Sequence, residues 1–202
     1  MFISKYERIS TIIWPGMFLA SVRISEGDGH GVSMTTVANT IREDKDSLDG
    51  IAIYSDSDPL LIPDLYRFIR DIRQPRLDVV IVTRGVDPAN LEDLVGAGYV
   101  THVIFMVDGP ADKHLAECAE VARAGKCMFN TVVEMVPGRV DENVVVDAAK
   151  ATRGANHMIL HILDPEKDPR MKGQKQFKKT DVKSMAKAAR ALAKDVKIMD
   201  LN

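Results

Sequence analysis

Two stretches of this 202-residue chain place side chains together in a way that could do chemistry. The first reads Ser25-Glu26-Gly27-Asp28-Gly29-His30-Gly31, the second Ser55-Asp56-Ser57-Asp58-Pro59. Carboxylates and an imidazole on neighbouring loops form a donor set for a divalent cation. Hard oxygens suit magnesium or manganese, and histidine adds affinity for transition metals. Glu26, Asp28 and His30 are therefore the candidate metal ligands, with Asp56 and Asp58 facing them. Turn chemistry is the simpler reading, because Asp and Gly are favoured at loop positions for backbone reasons alone. The glycine spacing also suits a loop that approaches a ligand or phosphate closely.

A third stretch, Thr83-Arg84-Gly85, offers a guanidinium that could clamp a carboxylate or phosphate through two parallel hydrogen bonds. An internal pair of Arg84 with Asp56 or Asp58 is the favoured expectation, since it neutralises the acidic loop. His157 and His161 are four residues apart in a strand-like run, where period two points them to one side. That places His161 in the interior near Asn130, where a satisfied core histidine is the common outcome. The candidate ligand-binding set is thus Asp56, Ser57, Asp58, Thr83, Arg84, Asp108, Asn130 and His161.

The cysteines offer less. Cys118 and Cys127 are nine positions apart, which gives neither a zinc pair nor a disulfide framework, and a reduced, cytoplasmic compartment fits. Cys118 lies in a helical segment as packing. Cys127 opens a strand without a partner base to make it a nucleophile.

Positioning these groups falls to alternating β-branched runs and helical segments, the pattern of βα units around a parallel sheet. Strands are expected at Phe18–Ile24, Gly50–Tyr54, Asp78–Thr83, His102–Val107, Cys127–Val133 and His157–Leu163, with a short last one at Val196–Met199. Helices are expected at Met34–Arg42, Pro63–Ile72, Pro88–Val95, Ala111–Ala124, Glu142–Thr152 and Asp181–Ala193. Asp87-Pro88 places a cap before a proline at the first helical position. Thr180 precedes Asp181 as a cap with acid in the first turn, and Gly125 ends the fourth helix. Six units without hairpin signals suit a partial (β/α)6 barrel of the TIM type or an open doubly wound sheet. Both bind ligands at the carboxyl ends of their strands.

The length suits one domain over residues 1–202. No apolar run approaches a membrane span, and no long apolar stretch follows the charged N-terminus as a secretory signal would require. The net charge of −2 hides an asymmetry. Between Glu166 and Lys197 there are eleven Lys/Arg against four Asp/Glu. Such a segment could attract an acidic partner, but a solvated helix face is the plainer reading, and nucleic acid is not the expected partner.

Several segments resemble, in order, the radical S-adenosylmethionine superfamily, in particular the activating enzymes of glycyl-radical proteins and of anaerobic ribonucleotide reductase. Leu48–Ile69 (LDGIAIYSDSDPLLIPDLYRFI) is similar to that family's second strand, glycine-rich turn and helix. Val80–Pro110 resembles the next unit, Phe129–Gly138 the fifth strand and its exit, and Gln176-Phe177 a late motif. The resemblance implies a radical-SAM-type barrel. It also implies a CxxxCxxC loop, and the corresponding Ser25–Gly31 segment contains no sulfur. A [4Fe–4S] cluster needs thiolates, so neither the cluster nor cleavage of S-adenosylmethionine is expected. What the resemblance then implies is a cysteine-less pseudoenzyme of anaerobic metabolism. It would be a ligand-binding, scaffold or regulatory partner of a radical or iron–sulfur enzyme. The alternative is a divergent metal-dependent lyase or hydrolase using the acidic loops.

Overall fold

Strand order in the sheet follows chain order without a single reversal. The computed structural model describes residues 1–10, 16–27 and 31–200. Its eight strands are β1 (Phe2–Ser10), β2 (Leu19–Ser25), β3 (Gly50–Ser55), β4 (Asp78–Thr83), β5 (His102–Val107), β6 (Met128–Met135), β7 (Met158–Ile162) and β8 (Val196–Asp200). β1 runs antiparallel to β2, and every later neighbour is parallel. The crossovers carry α1 (Met34–Asp44), α2 (Leu65–Ile72), α3 (Pro88–Gly96), α4 (Leu115–Ala124), α5 (Glu142–Ala151) and α6 (Lys179–Ala189).

Burial sorts the two faces of the sheet. One face packs Ile51, Ile53, Ile81, Val103, Phe105 and Leu160 against the helices, through Val37, Phe68, Leu91, Ala119, Val145 and Val182. The other face has its own small cluster of Leu19, Ala52, Val80, Ile104, Val132 and Ile159, to which no helix contributes. A doubly wound sheet reverses its winding at a switch point and carries helices on both faces. Here the helices keep to one face, so the sheet curls into a partial barrel whose inner side is lined by strand residues alone. The barrel is not closed, and β1 and β8 are its edges.

Local signals explain most boundaries. The Asp87 carboxylate accepts from the Asn90 amide and Pro88 opens α3, while Asp141 caps α5 by accepting from Val144 N. Gly125 closes α4 at a point where a side chain would collide with Val95 Cγ1. Three expectations need correction. β1 was not expected, because Lys5, Glu7 and Arg8 break up its apolar character. α6 begins at Lys179, which puts Thr180 inside the helix and leaves its N-terminus without a side-chain cap, although Asp181 stays in the first turn. α2 and α4 start at Leu65 and Leu115, later than expected. The left-handed Asp64 (φ 67°) precedes α2, and an Asp112 turn accepting from His114 N precedes α4. Part of the basic segment is the solvated face of α6: Val182, Ala186 and Ala189 are buried while Lys183 and Lys187 are exposed.

Candidate functional site

Because strands expose alternate residues to each face, every second position from β2 to β8 reaches the inside of the barrel. These positions give Ser21, Tyr54, Val82, Ile104, Met106, Val132, Glu134, Ile159, His161 and Met199, and Glu7 joins them from β1. They enclose an inner cavity of about 300 Å³. Its floor is apolar. Its polar groups are the Glu7 and Glu134 carboxylates, the Tyr54 and Ser21 hydroxyls and the His161 imidazole. A second cavity of about 300 Å³ lies above it at the carboxyl ends of β3 and β4. This rim cavity is lined by Ser55, Asp56, Ser57, Asp58, Pro59, Thr83, Arg84 and Arg170, and it shares Tyr54, Val82, Met106 and Glu134 with the inner one.

At the rim, Asp58 is turned into the protein and is 2% exposed. Its carboxylate accepts from Leu60 N (3.0 Å), from Thr83 Oγ1 (2.8 and 2.9 Å to its two oxygens) and from Arg84 N (2.6 Å). Burial pushes its pKa above the usual carboxylate value, while the two amides and the hydroxyl pull the other way. Thr83 Oγ1 in turn accepts from Gly85 N at 2.9 Å. Asp58 thus welds the β3 turn to the β4 turn. Asp56 is exposed and forms an ion pair with Arg23 of β2. The expected pairing of Arg84 with one of these acids takes another form. Its backbone amide goes to Asp58, while its guanidinium donates to the Ser57 carbonyl (2.6 Å) and lies 4.0 Å from Asp108.

Asp108, at the end of β5, gathers three arginines: Arg84, Arg139 at 3.4 Å and Arg170 at 3.6 Å. Arg170 follows β7 and grips Asp168 through Nε (3.0 Å) and Nη2 (2.7 Å), while its Nη1 donates to Glu134 Oε2 at 2.5 Å. These carboxylates hold its pKa above the ordinary arginine value. The chain Asp168–Arg170–Glu134 therefore fixes one oxygen of Glu134 and leaves the other, Oε1, without a hydrogen-bond partner among the described residues.

His161 is paired in register with Glu134, one strand away. Its ring makes no hydrogen bond among the described residues. Burial holds its pKa below the ordinary histidine value, with Glu134 pulling it up and Arg170 pushing it down. It does not meet Asn130, as the sequence suggests. Asn130 is 1% exposed and sits lower on β6, where its Oδ1 accepts from His157 N (3.1 Å) and its Nδ2 has no partner. The His157 ring pairs instead with Asp195 at 2.7 Å.

Of the expected metal ligands, only Glu26 lies among the described residues. Asp28 and His30 lie outside the described residues. Glu26 is exposed and lines a separate shallow cavity with Met1, Leu61 and Asp64. Among the described residues, no group of three or more His, Cys, Asp or Glu could hold a metal ion. The sequence reading missed Tyr54, Glu134 and Arg170. Strand alternation pointed to the first two, since both keep the inward parity of Ala52 and Val132. Arg170 lies in a loop beyond β7 and carried no comparable signal.

No family model matches the sequence, and no curated protein matches it. Solved structures do. A radical SAM methyltransferase from Sphaerobacter thermophilus superposes with a TM-score of 0.66 at 11% identity, over 92% of this chain and 67% of that one. SuiB from Streptococcus suis, solved with its precursor peptide SuiA, gives 0.59 at 10% identity over 87% of this chain and 44% of SuiB. The 3-keto-L-gulonate-6-phosphate decarboxylase of Vibrio cholerae gives 0.54 at 13% identity, over 90% of this chain and 77% of that one. At these identities the likeness is one of fold. The chain has a mostly parallel, barrel-like α/β fold similar to that of these structures, and it spans less than half the length of SuiB.

The chemistry of the donors present does not fit an iron–sulfur cluster. Such a cluster is held by thiolates. Cys118 is buried on the sheet-facing side of α4, and Cys127 is buried just before β6, at the end of the sheet opposite the rim. Burial pushes both thiols up to about 12. The rim offers carboxylates, hydroxyls and guanidinium groups instead.

Proposed function

We propose that this chain is a radical-SAM-shaped protein that binds a small molecule inside its partial barrel and carries no cluster of its own. One observation supports this reading above the rest: two confluent cavities, apolar below and polar at the strand ends, reach into the barrel from the rim. Small-molecule sites combine such an apolar body with a few convergent polar groups, and parallel barrels place them at this end. Asp58, Thr83 and Gly85 hold the two turns that frame the mouth. Arg170 holds Glu134, and the strands hold His161 and Tyr54. In this reading the protein is a pseudoenzyme, serving an anaerobic radical or iron–sulfur enzyme as a binding or regulatory partner. The preserved fold beside the absent ligand cysteines favours that role.

Two measurements test the proposal. Anaerobic reconstitution with iron and sulfide is expected to leave well under one cluster per chain. A stoichiometric [4Fe–4S] absorbance would overturn the cluster-free reading. Filling the inner cavity by Val132→Trp is expected to abolish the thermal stabilisation given by any small molecule that stabilises the wild type. Retained stabilisation would move the site elsewhere.

A further inference from the structure

The charge lining the inner cavity is one-sided, and this deepens the ligand-binding reading on which it rests. Among the described residues, no lysine or arginine lines this cavity, although acids line it from two strands. Glu134 uses Oε2 to accept from Arg170 and keeps Oε1 without a donor. Glu7 meets Lys5 through Oε1 at 2.5 Å, and among the described residues neither its second oxygen nor the Tyr54 hydroxyl has a hydrogen-bond partner. His161, whose charged form is disfavoured by burial, supplies one acceptor and one donor nitrogen when neutral. Hydroxyls can turn either way, whereas carboxylate oxygens only accept.

The cations nearest these acids do not cancel them. Arg170 is the bidentate partner of Asp168 and gives Glu134 a single bond, and its remaining charge is shared with Asp108. Lys5 reaches Glu7 from a half-exposed position on β1. Beneath these groups lie Val82, Ile104, Met106, Val132, Ile159 and Met199, which offer no polar side-chain atom beyond thioether sulfur.

We propose that the inner cavity selects a compact apolar molecule bearing a primary ammonium group. The ammonium would sit against Glu134 Oε1 with Tyr54 and His161 as further acceptors, and the body would lie on the apolar floor. A charged donor strengthens such bonds, and a half-buried carboxylate makes them stronger still. A carboxylate-bearing molecule of the same shape would face Glu134 and Glu7 without a cavity-lining cation to meet it.

The test uses three probes of one shape: 2-phenylethylamine, 2-phenylethanol and phenylacetate, titrated calorimetrically into the intact chain. The amine is expected to bind at least tenfold more tightly than the alcohol, and phenylacetate not to bind measurably. In Glu134→Gln the amine is expected to fall to the alcohol's affinity while the alcohol is unchanged. Alcohol or phenylacetate binding as tightly as the amine overturns the ammonium preference and leaves the cavity reading intact. Amine affinity unmoved in a folded Glu134→Gln also overturns it. Should that variant not fold, the wild-type comparison decides alone. Silence from all three probes, with no heat and no thermal stabilisation, counts against the cavity as a binding site altogether.

Discussion

At the scale of single residues, the acids at the strand ends have separate jobs. Asp58 is structural: a buried carboxylate that accepts from two amides and a hydroxyl. Asp58→Asn presents an NH2 group where one of those donors now points, so a lost bond and an unsatisfied donor should cost about 1–3 kcal/mol. Urea unfolding would show this as a lower midpoint with an unchanged slope. Arg170 ties Asp168 and Glu134 together, and Arg170→Ala should cost about 2 kcal/mol, since hydrogen bonds to charged groups contribute roughly 1.5–3 kcal/mol. His161 carries the pH prediction. Its folded pKa lies below its unfolded value near 6.5, so the unfolded chain binds its proton first. The stability gained from the neutral ring is present above that value and is lost as pH falls through the depressed folded pKa. Unfolding midpoints compared at mildly alkaline and mildly acidic pH should therefore drop less in His161→Gln than in the wild type. An equal drop would contradict the assignment.

At the scale of elements, the rim depends on two short turns being rigid. Gly85 holds φ 73°, and a Cβ there would come within 2.9 Å of Leu115 Cδ1 on α4. Left-handed backbone costs other residues about 1–2 kcal/mol, and the contact adds to that. Gly85→Ala should therefore lower the unfolding midpoint and loosen the Thr83–Asp58 junction together. Element by element, the parallel strands were legible because β-branched runs such as Ile51–Ile53 and Val79–Val82 were bounded by turn residues. β1 was not legible, since an edge strand carrying Lys5 and Glu7 reads as a polar terminus until a partner strand covers it. The acidic loop at Asp56–Pro59 was legible as a place but not as a chemistry. Its sequence shows two similar aspartates, whereas the fold buries one under Thr83 and pairs the other with Arg23. Strand alternation gives Glu134 and Tyr54 their inward parity, but their partners come from neighbouring strands and loops, which no local pattern records. Arg139 and Arg170 reach Asp108 from loops far along the chain, and only the barrel brings them together.

At the scale of the whole molecule, the sequential winding of seven parallel strands leaves an inner face that no helix fills. No helix is long and apolar enough to cross a membrane among the described residues. The strand-end rim and the inner cavity form one continuous entry, and methionines mark it conveniently: Met106 and Met199 line the cavity, while Met34 and Met128 are exposed elsewhere. A titration of 2-phenylethylamine into chain labelled with 13C at the methionine methyls tests the ligand site most directly. The account predicts saturable shifts of the Met106 and Met199 signals, with Met34 and Met128 unmoved. Shifts confined to Met34 or Met128, or a spectrum that does not change up to saturating probe, would contradict it.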